Sequence, residues 1–206
     1  MLTFKARMNL RAFPLIFIVL LLSVSSCRNP LPPASRVFVI QPFSGFPSSH
    51  VATVYEILKQ INSKTILRKS IPLPLTSFSP PKNRYRADSI INYLNHFGSA
   101  DTVIIGLTNK DISTSKEKIL DWGVMGLGFQ PGNACVVSTF RLSKTELSGQ
   151  LYKLALHELG HTQGLPHCKN PACYMRDAEG GNHLDEETGF CQSCKSFLKS
   201  KGWLLK

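Results

Sequence analysis

Two histidines and a glutamate occur at spacings that suit the binding and use of a metal ion. His157 and His161 are four residues apart, so on a helix they lie on one face, with about 6 Å between their stems. Both imidazoles could therefore reach one ion. Glu158 follows the first histidine and is rotated by about 100° around the helix, which predicts a base beside the ion rather than a ligand on it.

A glycine after the second histidine can bring a third ligand to the same ion. Gly164 allows the helix to end in a left-handed turn, and the reversed chain can then return His167. Three neutral imidazoles leave zinc its full charge and an open position, where a water has its pKa lowered to about 7. Glu158 would take a proton from that water and pass it to a leaving amine. The alternative is a helix whose histidines bind no metal, and it must account for all of these offsets together.

Four of the six cysteines follow the third histidine closely. Their spacing suits a structural zinc site of four thiolates, which would pin the chain next to His167 and take no part in chemistry. An exported chain also meets oxidising conditions, in which the same thiols pair as disulfides, so this alternative stays open. Cys135 is expected to be a small buried apolar residue. The four clustered cysteines are Cys168, Cys173, Cys191 and Cys194.

Together these motifs resemble those of the metzincins and, more narrowly, of the archaemetzincins. The third histidine is followed at once by a cysteine, then by a second cysteine and Met175, and a Cys-x-x-Cys completes the pattern. The resemblance implies a zinc metallopeptidase acting on peptides or proteins, with two zinc ions per chain and Met175 in a tight turn beneath the catalytic one. It also implies an edge strand that pairs with extended substrate, for which residues 134–139 are the candidate.

Strands and helices alternate along the chain, which predicts an α/β fold. The apolar run Thr102–Leu107 is typical of a central strand. Ser143 is expected to begin the long helix that carries the histidines, because Glu146 stands at the capping-box position, and a last helix is expected from Asp185 to Leu198. With the resemblance, the expected fold is one metzincin-like domain: a mostly parallel twisted sheet, an active-site helix and a small C-terminal subdomain. Residues 36–206 are expected to form it.

The first 26 residues have the character of a secretory signal. They combine a basic start with a short apolar run at Leu15–Leu22, too short to span a membrane. Cysteine at the end of this segment resembles a bacterial lipobox, which implies cleavage after residue 26 and acylation of Cys27. The alternative is an ordinary signal in which Cys27 is incidental. Residues 27–35 are proline-rich and predict an extended tether.

The charge and the expected export restrict the partners. The formal net charge of the full sequence is +11, and its basic residues are scattered, which favours a solvated basic surface. Because exported proteins rarely meet nucleic acid, we expect a membrane contact through the anchor at Cys27 and no nucleic-acid partner. The expected location is the cell envelope. The outer membrane is preferred, because Arg28 is not the aspartate that retains lipoproteins at an inner membrane. The alternative function is an anchored binding lipoprotein whose metal centre is structural and catalyses little or nothing.

Overall fold

Residues 36–206 are described by the computed structural model and contain two β-sheets and four α-helices. The expected signal peptide, residues 1–26, and the tether with its acylated Cys27, residues 27–35, lie outside the described residues. The strands are β1 (Val37–Pro42), β2 (Ile66–Leu67), β3 (Phe78–Ser79), β4 (Arg84–Arg86), β5 (Thr102–Thr108), β6 (Ile112–Lys116), β7 (Ile119–Val124), β8 (Gly126–Gly128) and β9 (Ala134–Ser138). The helices are α1 (Ser48–Ile61), α2 (Ala87–Asn95), α3 (Leu147–Thr162) and α4 (Gln192–Ser200).

The larger sheet is mostly parallel, in the order β2-β1-β5-β9-β8. Strands β1, β2, β5 and β9 run parallel, and only the short β8 is antiparallel to its neighbour β9. Side chains alternate between two buried faces, so Phe38 and Ile40 enter one core and Val39 enters the other. The expected α/β fold with a mostly parallel sheet is thus confirmed.

Helices cover both faces of this sheet. On one face α1 and α3 pack together, and Leu58 and Leu151 belong to the same core as Phe38. On the other face α2 contributes Ile90 and Leu94 to the second core. Burial on both faces explains why the central strands are continuous apolar runs.

A second sheet, in the order β3-β4-β6-β7, adds a hairpin beside the edge of the first. Asp111, just before β6, accepts hydrogen bonds from Arg84 of β4 at 2.7 Å and from Arg141, which follows β9, at 2.9 Å. Trp122 on β7 and residues of β8 line one common cleft. This sheet therefore supplies part of a wall of the cleft described below.

The chain after α3 forms the expected small C-terminal subdomain of turns and the helix α4. Trp203 closes it against the main core, with its ring 5.3 Å from that of Phe38. Within residues 36–206, no helix is both long and apolar enough to cross a bilayer.

Two expected helix starts are wrong. The histidine helix α3 begins at Leu147, because the N–H of Ser143 donates to the side chain of Gln150 at 2.8 Å and residues before Leu147 form turns. The last helix begins at Gln192 rather than Asp185. The segment before it starts in a turn, in which the N–H of Glu186 donates to His183 at 2.9 Å, and then pairs with an earlier part of the chain, where the N–H of Tyr174 donates to Gly189.

Candidate active site

The helix α3 positions two of the predicted ligands. It packs on β9 and β8, and its residues from Leu154 to Thr162 are buried. The Nε2 atoms of His157 and His161 lie 3.0 Å apart. The spacing of four residues therefore points both rings to one place, as predicted.

The chain reversal after α3 depends on Gly164. Its φ of +94° lies in the left-handed region, and its N–H donates to the carbonyl of His161 at 2.8 Å. The N–H of Leu165 donates to Gly160 at 3.1 Å and closes the helix end. The returning chain places Nε2 of His167 3.2 Å from Nε2 of His161. The structure thus brings the three predicted histidines together, with their ligand nitrogens within 4.8 Å of one another.

Hydrogen bonds fix which ring nitrogens face this point. Nδ1 of His157 lies 2.7 Å from the carbonyl of Tyr174, and Nδ1 of His161 lies 2.9 Å from that of Leu165. A carbonyl only accepts, so each Nδ1 carries the hydrogen and each Nε2 presents a lone pair. Burial lowers the pKa of His157 to about 3 and also lowers that of His161, so both rings are neutral. Converging lone pairs repel unless a cation lies between them, so these residues fit a zinc ion.

The third histidine is oriented by a carboxylate that sequence reasoning missed. Nδ1 of His167 lies 3.2 Å from an oxygen of Asp177, and the two side chains are about half exposed. Such a pairing fixes the ring and makes its other nitrogen a better ligand. The available signal was position: Asp177 comes two residues after Met175, within the segment expected to turn beneath the metal.

Glu158 lines the same cleft as the three histidines and is itself 5% exposed. Two glycines of β8 leave room for it. A Cβ on Gly126 would lie 2.5 Å from its Oε1, and one on Gly128 would lie 2.6 Å from its backbone oxygen. Burial raises the pKa of Glu158 to about 8. A nearby cation would favour the ionised form, which is the form that a base needs.

Met175 lies under the histidine helix. It is fully buried in a turn in which the N–H of Arg176 donates to Cys173 at 2.9 Å. Its sulfur packs so closely on α3 that a Cβ on Gly160 would lie 2.6 Å from it. The expected tight turn is therefore present, and it supports the helix between the two histidines.

The four clustered cysteines come together in a second group. Their sulfur atoms all lie within 4.8 Å of one another, and those of Cys168 and Cys191 are 3.7 Å apart. Ligand sulfurs around one tetrahedral zinc are spaced by about 3.8 Å, so the group fits such an ion. A hydrogen bond from Ser193 is the main cause that lowers the pKa of Cys191 to about 6, which favours the thiolate form that a metal binds. Cys135 is fully buried, as expected.

The cleft between these walls has a volume of about 590 Å³. The prediction that residues 134–139 form its edge strand is wrong, because β9 lies between β5 and β8. The edge is β8, whose two glycines give it low strand propensity. The signal was their spacing of two, which puts Gly126 and Gly128 on one face of a strand.

Three other polar residues lie in or beside the cleft. Tyr174 holds His157 through its backbone, while its ring packs edge-on against Tyr152 and Phe190, which agrees with a packing role. His183 lines the cleft. Glu187 also lines the cleft and was missed, because nothing in the sequence separates it from the two acidic residues before it.

Comparison with known proteins places this arrangement in a family. The model of peptidase family M54 matches residues 49–200. The archaemetzincin of Archaeoglobus fulgidus is 30% identical over 168 residues, which cover 78% of this chain and 97% of that protein.

Solved structures agree with the sequence match. The archaemetzincin of Methanopyrus kandleri superposes with a TM-score of 0.70 at 27% identity, covering 83% of this chain and 98% of its own. A zinc-dependent peptidase from Methanocorpusculum labreanum gives a TM-score of 0.66 at 25% identity, covering 78% and 99%. The fold, the histidine group and these similarities lead to one conclusion: this chain belongs to peptidase family M54, the archaemetzincins, and is a zinc metallopeptidase.

Proposed function

We propose that this chain hydrolyses peptide bonds with His157, His161 and His167 as zinc ligands and Glu158 as general base. The proposal is carried by one observation, that three imidazole nitrogens converge beside a buried carboxylate in a cleft of about 590 Å³. Zinc, when bound, supplies a charge that polarises the substrate carbonyl and acidifies a water molecule.

The side chains divide the remaining work. Glu158 accepts a proton from the attacking water and returns it to the amine of the leaving peptide. The carbonyls of Tyr174 and Leu165 keep two imidazoles in the tautomer that binds metal. Among residues 36–206, strand β8 pairs with β9 alone, so its other side can hydrogen-bond an extended peptide.

We also propose a second, structural zinc held by Cys168, Cys173, Cys191 and Cys194. The four sulfur atoms converge on one point, which favours a shared metal ion over two separate disulfides. The site would hold the chain at Cys168, one residue after His167, and so fix the third ligand of the catalytic zinc.

Peptide cleavage by wild-type and Glu158→Gln proteins tests the catalytic proposal. We expect hydrolysis of a mixed peptide library by the wild type and a loss of about 10²- to 10⁴-fold in Glu158→Gln, with zinc still bound. Glu56→Gln makes the same change at an exposed position of α1 and should keep full activity. If neither the wild type nor Glu158→Gln cleaves any peptide while native mass spectrometry finds two zinc ions, the result would instead support a binding lipoprotein.

We propose from the sequence that Cys27 is acylated and anchors the chain in the cell envelope. Metabolic labelling with an alkyne fatty acid in a bacterial host should modify the wild type and not Cys27→Ala. Recovery of both proteins in the soluble fraction, unlabelled, would contradict the anchor. Fractionation of the envelope tests the preference for the outer membrane.

A further inference from the structure

A buried carboxylate in the cleft has one oxygen atom without a hydrogen-bond partner among residues 36–206. Glu187 lies between Met175 and α4, and its side chain is 3% exposed. Within residues 36–206, its Oε2 atom has no hydrogen-bond partner. A buried polar atom without a partner costs stability, so a residue of this kind calls for an explanation outside the fold itself.

Glu187 occupies the part of the cleft that adjoins the first zinc ligand. It lines the cleft together with Leu154 and Leu184, both of which are buried. Leu154 is three residues before His157 on α3, which is about 4.5 Å along the helix axis. A substrate residue next to the scissile bond can therefore direct its side chain toward this place.

The neighbouring cation, Lys153, forms its hydrogen bonds with backbone carbonyls instead of with the Glu187 carboxylate. The ammonium group of Lys153 donates to the backbone carbonyls of Leu184 and Glu187, each at 2.7 Å. Its charge does act on Glu187, but burial outweighs it and raises the pKa of the carboxyl to about 7. Arg176 is engaged by Glu186 at 2.6 Å. The Glu187 carboxyl is thus left for a group that enters from the cleft.

The surroundings suit a long side chain that ends in a positive charge. Leu154 and Leu184 offer an apolar wall on which the methylene stem of a lysine or arginine can pack, while its charged end reaches the carboxylate. An acidic side chain would meet repulsion from Glu187, and a neutral apolar one would leave the carboxyl buried and unpaired.

We propose that Glu187 selects peptides with lysine or arginine at a residue flanking the scissile bond. This inference rests on the proposed function, since it assumes that peptides occupy the cleft. It adds a substrate class to that function, namely basic peptides.

Binding to an inactive protein tests the selection without any need for turnover. The zinc-loaded Glu158→Gln protein is titrated with peptides that differ only in lysine or norleucine at each residue flanking the bond, by isothermal titration calorimetry. We expect the lysine peptide to bind about 10- to 100-fold more tightly. A further Glu187→Gln substitution should remove this difference.

An exposed glutamate outside the cleft provides the matched control. Glu56→Gln makes the same change on α1 and should keep the lysine preference. Glu187→Met serves as a second variant, since it should also lose the preference while its Tm stays at or above that of the wild type. Equal binding of the two peptides, or a preference that survives in both Glu187 variants, would overturn the inference.

Turnover separates this inference from the proposed function. Cleavage without preference for lysine or arginine would support the peptidase function and contradict the selective role of Glu187. Binding with a Glu187-dependent preference but no cleavage of any peptide would support the selection and count against catalysis.

Discussion

At the scale of single residues, the space around Glu158 is set by the glycines of β8. These glycines carry no side chain where one would overlap the glutamate, so the base and the edge strand approach each other closely. The position of the Glu158 carboxylate, the proposed base, therefore depends on residues of a different element.

Gly126→Ala should displace the Glu158 carboxylate, because the added Cβ would lie 2.5 Å from Oε1. We expect kcat/KM for peptide hydrolysis to fall by about 10- to 100-fold while zinc stays bound, since a shift of about 1 Å costs this much in a catalytic site. Gly149→Ala is the matched control, because no atom lies within 4 Å of its added Cβ. It should keep full activity and raise the free energy of unfolding by about 0.5–1 kcal/mol. Full activity in Gly126→Ala would show that Glu158 is not held by this contact.

Residue types and spacing predicted the three converging histidines but not the residues that orient them. His157, His161 and His167 were predictable because a helical turn and a glycine turn convert their sequence spacing directly into distance. Asp177 and Glu187 were not, since each meets its site through a long loop path that no local spacing encodes. Single acidic residues are common on surfaces, so only the structure separates these two from the others.

At the scale of elements, the end of α3 decides whether a third ligand exists. Gly164 has room for a side chain, as its nearest neighbours to an added Cβ are at 3.9 and 4.0 Å. Its φ of +94° is what requires glycine. The helix end thus depends on backbone conformation rather than on packing.

Gly164→Ala should therefore weaken both the fold and the catalytic metal site. We expect the free energy of unfolding to fall by about 1–2 kcal/mol, the cost of a left-handed conformation for a residue with a side chain. His167 should then be less well placed, which lowers zinc affinity in competition with a chromophoric chelator. The four cysteines should still bind their own zinc, so the native mass should show loss of one ion. Unchanged affinity at both sites would contradict this account of the reversal.

Strands that are apolar were predictable, and the one built from glycines was not. Thr102–Leu107 was expected as a central strand and is one, because burial on both faces demands a continuous apolar run. Strand β8 lacks that signal, since two of its three residues are glycines selected by the approach of Glu158. The substrate-facing edge was accordingly assigned to the wrong strand.

At the scale of the whole molecule, the two proposed metal sites are joined through one peptide bond. His167 belongs to one and Cys168 to the other, and the N–H of Cys168 donates to the carbonyl of Met175 at 2.7 Å. The turn beneath the histidine helix is thus connected to both sites. Removing the second metal should disturb the first.

Cys194→Ala tests this connection by removing one sulfur of the cysteine group. Native mass spectrometry should show one zinc instead of two, and the affinity of the remaining site should fall by about 10-fold as His167 loses its support. Cys135→Ala also removes one thiol, but from the buried core, and should keep both ions at a stability cost of about 1 kcal/mol. A disulfide between any of the four cysteines in the purified wild type would rule out the second zinc.

The shortness of β8 has a consequence for what can be cut. Three residues make a ladder of roughly 10 Å, which aligns only a few backbone groups of another chain. So short a strand cannot extract a segment from a stably folded protein, because each hydrogen bond gained with β8 is offset by native hydrogen bonds lost in the substrate. We therefore expect substrates that are already extended, such as unfolded chain ends, short linear peptides or fragments from earlier proteolysis.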